Sequence, residues 1–522
     1  MEAASQSTSW RQSGLVRFFA GVLLPPLGLA ILWTRPRTGI FKKLFGTLAL
    51  LILTVGYLVA VFGLRVESDG TGAPTLFTFE TPESRAAALE KHRSGQRAAS
   101  PPQTMPAAAA AAAPAVQAPG SKAAVSPADA PATYAPPPYW TDFRGPHRDA
   151  RYDEMPVLAS WPSAGLPPLW RQPVGGGYAS FVVAEGRAFT IEQRRDEEVV
   201  AAYDLLTGRE LWANSWTAHF REAMGGPGPR ATPTWHDSRL YALGATGEFR
   251  CLDAASGKVL WRKNILSDNA AENLVWGMAA SPLVVDDKVI VLPGGGGGKS
   301  VVAYHRLTGE PVWRALDDKQ AYTAPMVATL AGQRQLIVVS ASRIIGMTIE
   351  DGRLLWSHPW VTEYDVNSAQ PVVVGENRLL VSAGYDHGAV FLEISRSDGA
   401  FAARPVWENR NLKNKFNSSV LHNGYVYGFD ESILVCLDAS SGERKWKGGR
   451  YGYGQMLLAG GNLVVLSESG ELALVRASPD SHQELARFSA LEGKTWNVPA
   501  LAGGILLVRN TREMAAFDLR PK

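Results

Sequence analysis

Residues able to do chemistry follow two patterns along this chain, one repeated and one scattered. The repeated pattern is a short cluster of aromatic, small and polar residues, often ending in Pro. Its copies are YAS at Tyr178, RATP at Arg230, WGMAASP at Trp276, YTAP at Tyr322, NSAQP at Asn367, FNSS at Phe416, YGQ at Tyr453 and WNVP at Trp496. Each stands just before an apolar, β-like run. If every copy sits at the same place in a repeated unit, Tyr178, Arg230, Trp276, Tyr322, Asn367, Asn417, Tyr453 and Trp496 form a ring. Aromatic faces, side-chain amides and one guanidinium suit a flat, anionic, oxygen-rich ligand. A plain structural reading stands beside this one, in which the polar residues serve channel water and backbone.

The scattered pattern is weaker. Glu192, Glu198, Glu272, Asn273 and Asp386 are of the types that bind calcium, yet none falls in the clusters. The nine histidines make no metal-ligand pair, and no nucleophile elbow is present. PGGGGGKS at 293–300 looks like a phosphate loop, but Pro293 stands where the first Gly is needed. A strand-like VVAYHRLTG follows instead of a helix whose amides could hold phosphate, so the run reads as a hairpin loop.

The elements that must position the clusters come from a second repeat. YDLLTGRELW, LDAASGKVLW, YHRLTGEPVW and LDASSGERKW end at Trp212, Trp261, Trp313 and Trp446, with looser copies at Trp356 and Trp407 and a bare PLW at Trp170. Intervals of 39 to 52 residues, each holding four short runs broken by Gly, Asp and Asn, match one propeller blade. Asp and Ser can bond the turn backbone, and Gly accepts positive φ. Eight clusters imply eight blades. The chain ends in MAAFDLRPK, a third strand without a fourth, so the strand around Trp170 should complete the last blade. The seventh blade degenerates to RASPDSHQELARF, with Phe488 expected in the Trp position. Cys251 and Cys436 fall on blades two and six, too far apart for a disulfide, and read as core.

The repeats resemble the PQQ-type, or quinoprotein-like, eight-bladed β-propeller, and YWTDFRGPHRD at 139–149 resembles the lead-in of bacterial proteins of that class. The resemblance covers 139–522 and implies an all-β fold of four-stranded blades. It implies two kinds of function. One is a non-catalytic scaffold similar to BamB-like proteins of outer-membrane assembly. The other is a dehydrogenase using PQQ and calcium. The chain lacks the adjacent cysteine pair common in those enzymes, and its propeller is shorter, which leaves less room for loops over a cofactor.

Leu44 to Leu64 is apolar and uncharged, and 21 helical residues span about 31 Å, enough for a bilayer core. A second apolar run, Phe18 to Trp33, is interrupted by Pro25 and Pro26 and reads as a kinked membrane segment or an interfacial helix. Arg35, Arg37, Lys42 and Lys43 between the runs mark the cytoplasmic side. Residues 1–65 are thus a membrane anchor, 66–138 a Pro- and Ala-rich disordered linker, and 139–522 the propeller. With 52 basic and 49 acidic residues and no basic stripe, nucleic acid is excluded as a partner. The expectation is a bacterial inner-membrane protein with its propeller facing the periplasm or exterior. It would bind a protein or glycan of the cell envelope as a scaffold or, in a weaker reading, act as a glycan sensor.

Overall fold

The computed structural model describes residues 29–30, 32–34, 39–62, 65–68, 74–78, 82–98 and 139–521. The chain divides into two units, 1–88 with 223–225, and 89–222 with 226–522.

In the first unit, α1 (Ile40–Phe62) takes up the long apolar run and begins four residues earlier than the uncharged stretch. No residue of its membrane-length portion, Ile40–Val61, is fully buried among the described residues. A short hairpin pairs Arg65–Ser68 with Pro74–Thr78. The apolar run at 18–33 lies mostly outside the described residues. α2 (Pro82–Ala98) follows, inside the stretch expected to be a disordered linker. From Leu89 onward it belongs to the second unit.

The second unit is an eight-bladed propeller. Blades one to seven each hold four consecutive antiparallel strands, blade one running from Val182–Ala184 to Glu210–Thr217 and blade seven from Gln455–Ala459 to Glu484–Ser489. The eighth is closed by the first and last blade strands of the propeller, because Pro168–Pro173 pairs with Glu513–Asp518 and Trp170 faces Ala516. No blade is left with a missing strand.

The register explains the repeated Trp. In all eight blades the outer strand skips one residue: Leu211, Leu260, Val312, Leu355, Val406, Lys445, Leu485 and Leu169. Such a bulge re-aims the next side chain. In blades one to three, six and eight, and in blade five, that next residue is a Trp whose indole N–H donates to a carbonyl in the following blade. Trp261 reaches the Arg306 carbonyl at 3.0 Å, and Trp170 closes the ring on Leu205 at 2.9 Å. The ring lies so close to the turn Gly of that blade that a Cβ on Gly309 would stand 2.8 Å from Trp261. The Gly and the Trp of the phrase are therefore partners across a blade seam. The turn itself is held by Asp, as where Asp253 accepts from the Ser256 amide and hydroxyl at 2.8 and 2.6 Å.

Two blades depart from the pattern. Trp356 of blade four bonds Gln335 within its own blade at 2.7 Å, because blade five has a long hairpin, Gly388–Ser397 with Ala400–Asn409, in place of the tight turn. In blade seven the register puts Ala486, not Phe488, in the Trp position. Phe488 lies two residues further on the same face. There it packs edge-on against Trp161 and Phe517, with ring centroids 5.6 and 5.4 Å away. Cys251 and Cys436 are free and buried, their thiols pushed up by burial to about 11 and about 12. The 293–300 run is a hairpin loop with Gly295 bridged to Lys299.

Candidate functional site: a plugged channel under an aromatic mouth

First strands of neighbouring blades touch each other around the axis, so the clusters preceding them converge on one mouth. What lies below that mouth decides what it can do. The lead-in, 139–150, runs into the axis and bonds the inner strands. The Val183 amide donates to the Trp140 carbonyl, Trp235 to Thr141 and Leu458 to Ala150, each at 2.8 Å. Arg144 donates to the Ser419 carbonyl at 2.8 Å. Arg148 donates to the Pro325 carbonyl at 2.6 Å, to Ser281 at 3.2 Å, and also to Pro282. Asp142 meets Arg148 at 2.7 Å. Burial pushes the Asp142 carboxyl up, against the pull of Arg148. Trp140, Arg144 and Arg148 are all fully buried. The contacts lie three to six residues past the mouth residues, roughly 10–20 Å of extended chain. The mouth is therefore a cup with a floor.

A polar girdle surrounds the inner strand starts. The Ser180 amide donates to Thr232 Oγ1, the Thr232 amide to Ser281 Oγ and the Gln370 amide to Ser418 Oγ, each at 2.9 Å between adjacent blades. Asn367 and Asn417 belong to this girdle. Asn367 donates to the Ser340 carbonyl at 2.8 Å, and Asn417 accepts the Lys415 amide at 3.1 Å. Both are buried, so these two members of the expected ring are parts of the frame. Even so, Asn367 Oδ1, Gln370 Oε1, Asn417 Nδ2, Gln455 Oε1 and Asn497 Oδ1 are buried with no hydrogen-bond partner among the described residues. Such capacity is normally spent on ordered water or ligand.

The aromatic members do come together. Tyr178 packs on Trp496 at 5.5 Å, Trp496 on Phe416 at 4.6 Å, and Phe416 on Tyr453 at 5.5 Å. Phe416 is on blade six and Trp496 on blade eight, so the rings lean inward over blade seven. Trp276 and Tyr322 pair at 5.6 Å on the other side. Three cations lie on these rings. Arg230 sits 4.6 Å from the Phe220 ring and 5.6 Å from Tyr178. Lys494 lies 4.0 Å over Trp496. Lys415 is held between Tyr385 and Tyr453, at 4.6 and 4.3 Å. Burial lowers the Arg230 pKa and pushes Tyr322 up to about 12. Glu468 accepts the Trp496 indole N–H at 2.7 Å and fixes that ring.

Sequence reasoning took Asn417 where the neighbouring Phe416 does the work. It missed Phe220, Tyr385, Lys415 and Lys494 altogether. Phe416 was recoverable, since FNSS begins with it; the others sit in loops with no repeated register.

The carboxylates do not assemble a calcium cage. Glu192 is bonded by Arg194 and the Gly175 amide. Burial would raise its pKa, but Arg194, Arg93 and Arg509 hold it near about 2. Glu198 accepts from the Ala245 amide at 2.8 Å and the Trp216 indole at 3.1 Å, and burial pushes it up to about 7. Glu272 and Asn273 lie at the surface, and Asp386 is exposed beside Lys413 and Arg410. Among the described residues no group of three or more His, Cys, Asp or Glu is placed to hold a metal. The donor set does not fit a calcium–quinone pair.

The fold is an eight-bladed propeller of four-stranded blades, and its repeats are similar to those of PQQ-type, BamB-like propellers. A family model described as outer membrane protein assembly factor BamB matches residues 195–448. The chain is 24% identical over 394 residues to outer membrane protein assembly factor BamB of Burkholderia pseudomallei (strain K96243), covering 72% of this chain and 93% of that one. To the protein of the same description in Bordetella pertussis it is 22% identical over 315 residues, covering 57% and 72%. Among solved structures, BamB from Moraxella catarrhalis superposes with a TM-score of 0.50 at 15% identity, over 68% of this chain and 99% of that one. Quinohemoprotein alcohol dehydrogenase from Comamonas testosteroni gives 0.55 at 13% identity, over 74% and 81%. Those two likenesses are to the fold.

Proposed function

We propose that this chain is a binding module held at a bacterial inner membrane by α1, with its propeller outside the cytoplasm. In this reading the propeller gathers proteins of the cell envelope in outer-membrane assembly. The observation that carries it is the plugged, aromatic mouth. A cup floored by Trp140, Arg144 and Arg148 offers ring faces and cations to something that docks from outside. The likeness to BamB proteins along most of the propeller supports an assembly role. Half-exposed ring faces at Trp276, Tyr322 and Tyr453 also suit the apolar face of a sugar, which favours a glycan as the second reading.

A photo-crosslinking residue placed at Tyr453 or Trp276 in living cells tests this. The expected product is a discrete adduct with an outer-membrane assembly protein, absent when the same group is placed at exposed Leu485 on the outer rim. Adducts only with glycan strands would favour the second reading, and identical products from both positions would refute the mouth as a docking surface.

A further inference from the structure

α2 carries an arginine in a place where arginine is rarely found. Arg93 is fully buried, yet it lies outside every blade. Its guanidinium donates to Gln172 Oε1 and to the Pro173 carbonyl, each at 2.8 Å. It lies 3.4 Å from Glu210 and 4.8 Å over the Tyr203 ring. Gln172 and Pro173 belong to the strand that closes blade eight, whereas Tyr203 and Glu210 belong to blade one. The side chain therefore spans the closing seam of the ring.

The rest of one helix face follows it in. Leu89 is buried, His92 meets Gln172 at 3.3 Å, and Gln96 donates to Gln172 at 2.7 Å. Residues 89, 92, 93 and 96 share a face at helical spacing. The charges on the propeller side balance without the helix. Glu192 and Glu210 face Arg194 and Arg509, with Arg194 bonded to both carboxylates. Arg93 is the added cation, and its excess charge is met by two carbonyl oxygens and a ring face. The blades thus do not need Arg93 to neutralise a buried charge, whereas Arg93 needs the blades.

We infer that residues 89–98 are an intramolecular clasp that pins the propeller to its own anchor across the closing seam. The covalent path from anchor to clasp is then residues 63–88, of which 63–81 lie between α1 and α2 and 82–88 are the first turns of α2. Nineteen positions at about 3.5 Å and seven helical ones at about 1.5 Å reach at most roughly 75 Å. The path through 63–138 would allow roughly 270 Å. The clasp thus shortens the covalent path between α1 and the propeller. The inference rests on the anchor reading for which membrane is meant, but not for the clasp itself.

The test uses the full chain in its native membrane, with a sequence-specific protease site introduced within 120–138. Before cleavage, sedimentation of the chain with alkali-washed membranes tests the anchor alone. After cleavage, the 139–522 portion has no covalent link to α1. We expect most of it to stay in the membrane pellet, and Arg93→Glu to release it to the supernatant. Arg93→Gln should release it in part, since the carbonyl bonds weaken without charge repulsion from Glu210. Thermal unfolding of the cleaved propeller should not differ between Arg93→Glu and wild type by more than a few degrees, which excludes misfolding as the cause. Release of the wild-type propeller on cleavage would overturn the clasp. So would equal retention of Arg93→Glu, because retention would then come from another contact.

Discussion

Gly309→Ala probes the seam between blades two and three, where one Trp and one Gly share a space. Gly309 has φ +74°, and a Cβ there would come within 2.8 Å of the Trp261 ring. The left-handed backbone costs a residue with a Cβ about 1–2 kcal/mol. Forcing the methyl against a packed ring costs about 1–3 kcal/mol more. Gly309→Ala should therefore destabilise by about 2–5 kcal/mol. Trp261→Ala removes a 9%-exposed ring and its bond to Arg306, and should cost about 3–5 kcal/mol. The double variant separates the two terms. With the ring gone the methyl has room, so only the backbone strain of about 1–2 kcal/mol remains. The coupling energy is then favourable by about 1–3 kcal/mol, which denaturant unfolding of the detergent-solubilised chain can resolve. Strict additivity would mean that the Gly serves its turn alone, and that the Trp–Gly seam is not what joins the blades.

Glu198 should make stability fall as pH rises. Its folded pKa is raised to about 7, so the folded state binds the extra proton between an unfolded value of about 4.3 and about 7. Stability attributable to protonated Glu198 is full below about pH 4 and lost through about pH 7, on the order of 3 kcal/mol in all. Glu198→Gln should flatten that dependence and raise the melting temperature at pH 8; an unchanged pH profile would refute the assignment. A reporter fused after Lys522 should be active only in its extracytoplasmic form, and activity of a cytoplasmic reporter would contradict the orientation drawn from Arg35, Arg37, Lys42 and Lys43.

The blades were legible because the repeat writes both halves of each seam into one phrase. The Gly that receives a ring and the Trp that supplies the next one belong to one phrase, so its spacing marks the blades, while the eight clusters give their number and the unfinished last blade gives the closure. Phe488 was misplaced because RASPDSHQELARF has no turn Gly from which to count to the Trp position, which the register gives to Ala486. The plug was invisible for a different reason. Nothing in YWTDFRGPHRD says where it lies, and only the fold brings together the carbonyls of three blades, at Ser419, Ser281, Pro282 and Pro325, that receive Arg144 and Arg148. The helix at 82–98 was hidden because composition was averaged over 66–138, where the alanines and prolines after position 100 outweigh PESRAAALEKHRSGQRA. The mouth was half legible. The aromatics that precede inner strands recur in register, whereas Tyr385, Lys415 and Lys494 come from loops of unequal length.

On the function proposed above, the propeller docks a partner at its closed aromatic mouth and runs no quinone chemistry there. A titration of the purified protein with PQQ in the presence of calcium, followed by fluorescence of the mouth tryptophans Trp276 and Trp496, tests it most directly. The account predicts no saturable binding in the micromolar range and no dye-linked alcohol oxidation. Tight, calcium-dependent PQQ binding that is lost on Arg230→Ala would contradict it and restore the dehydrogenase.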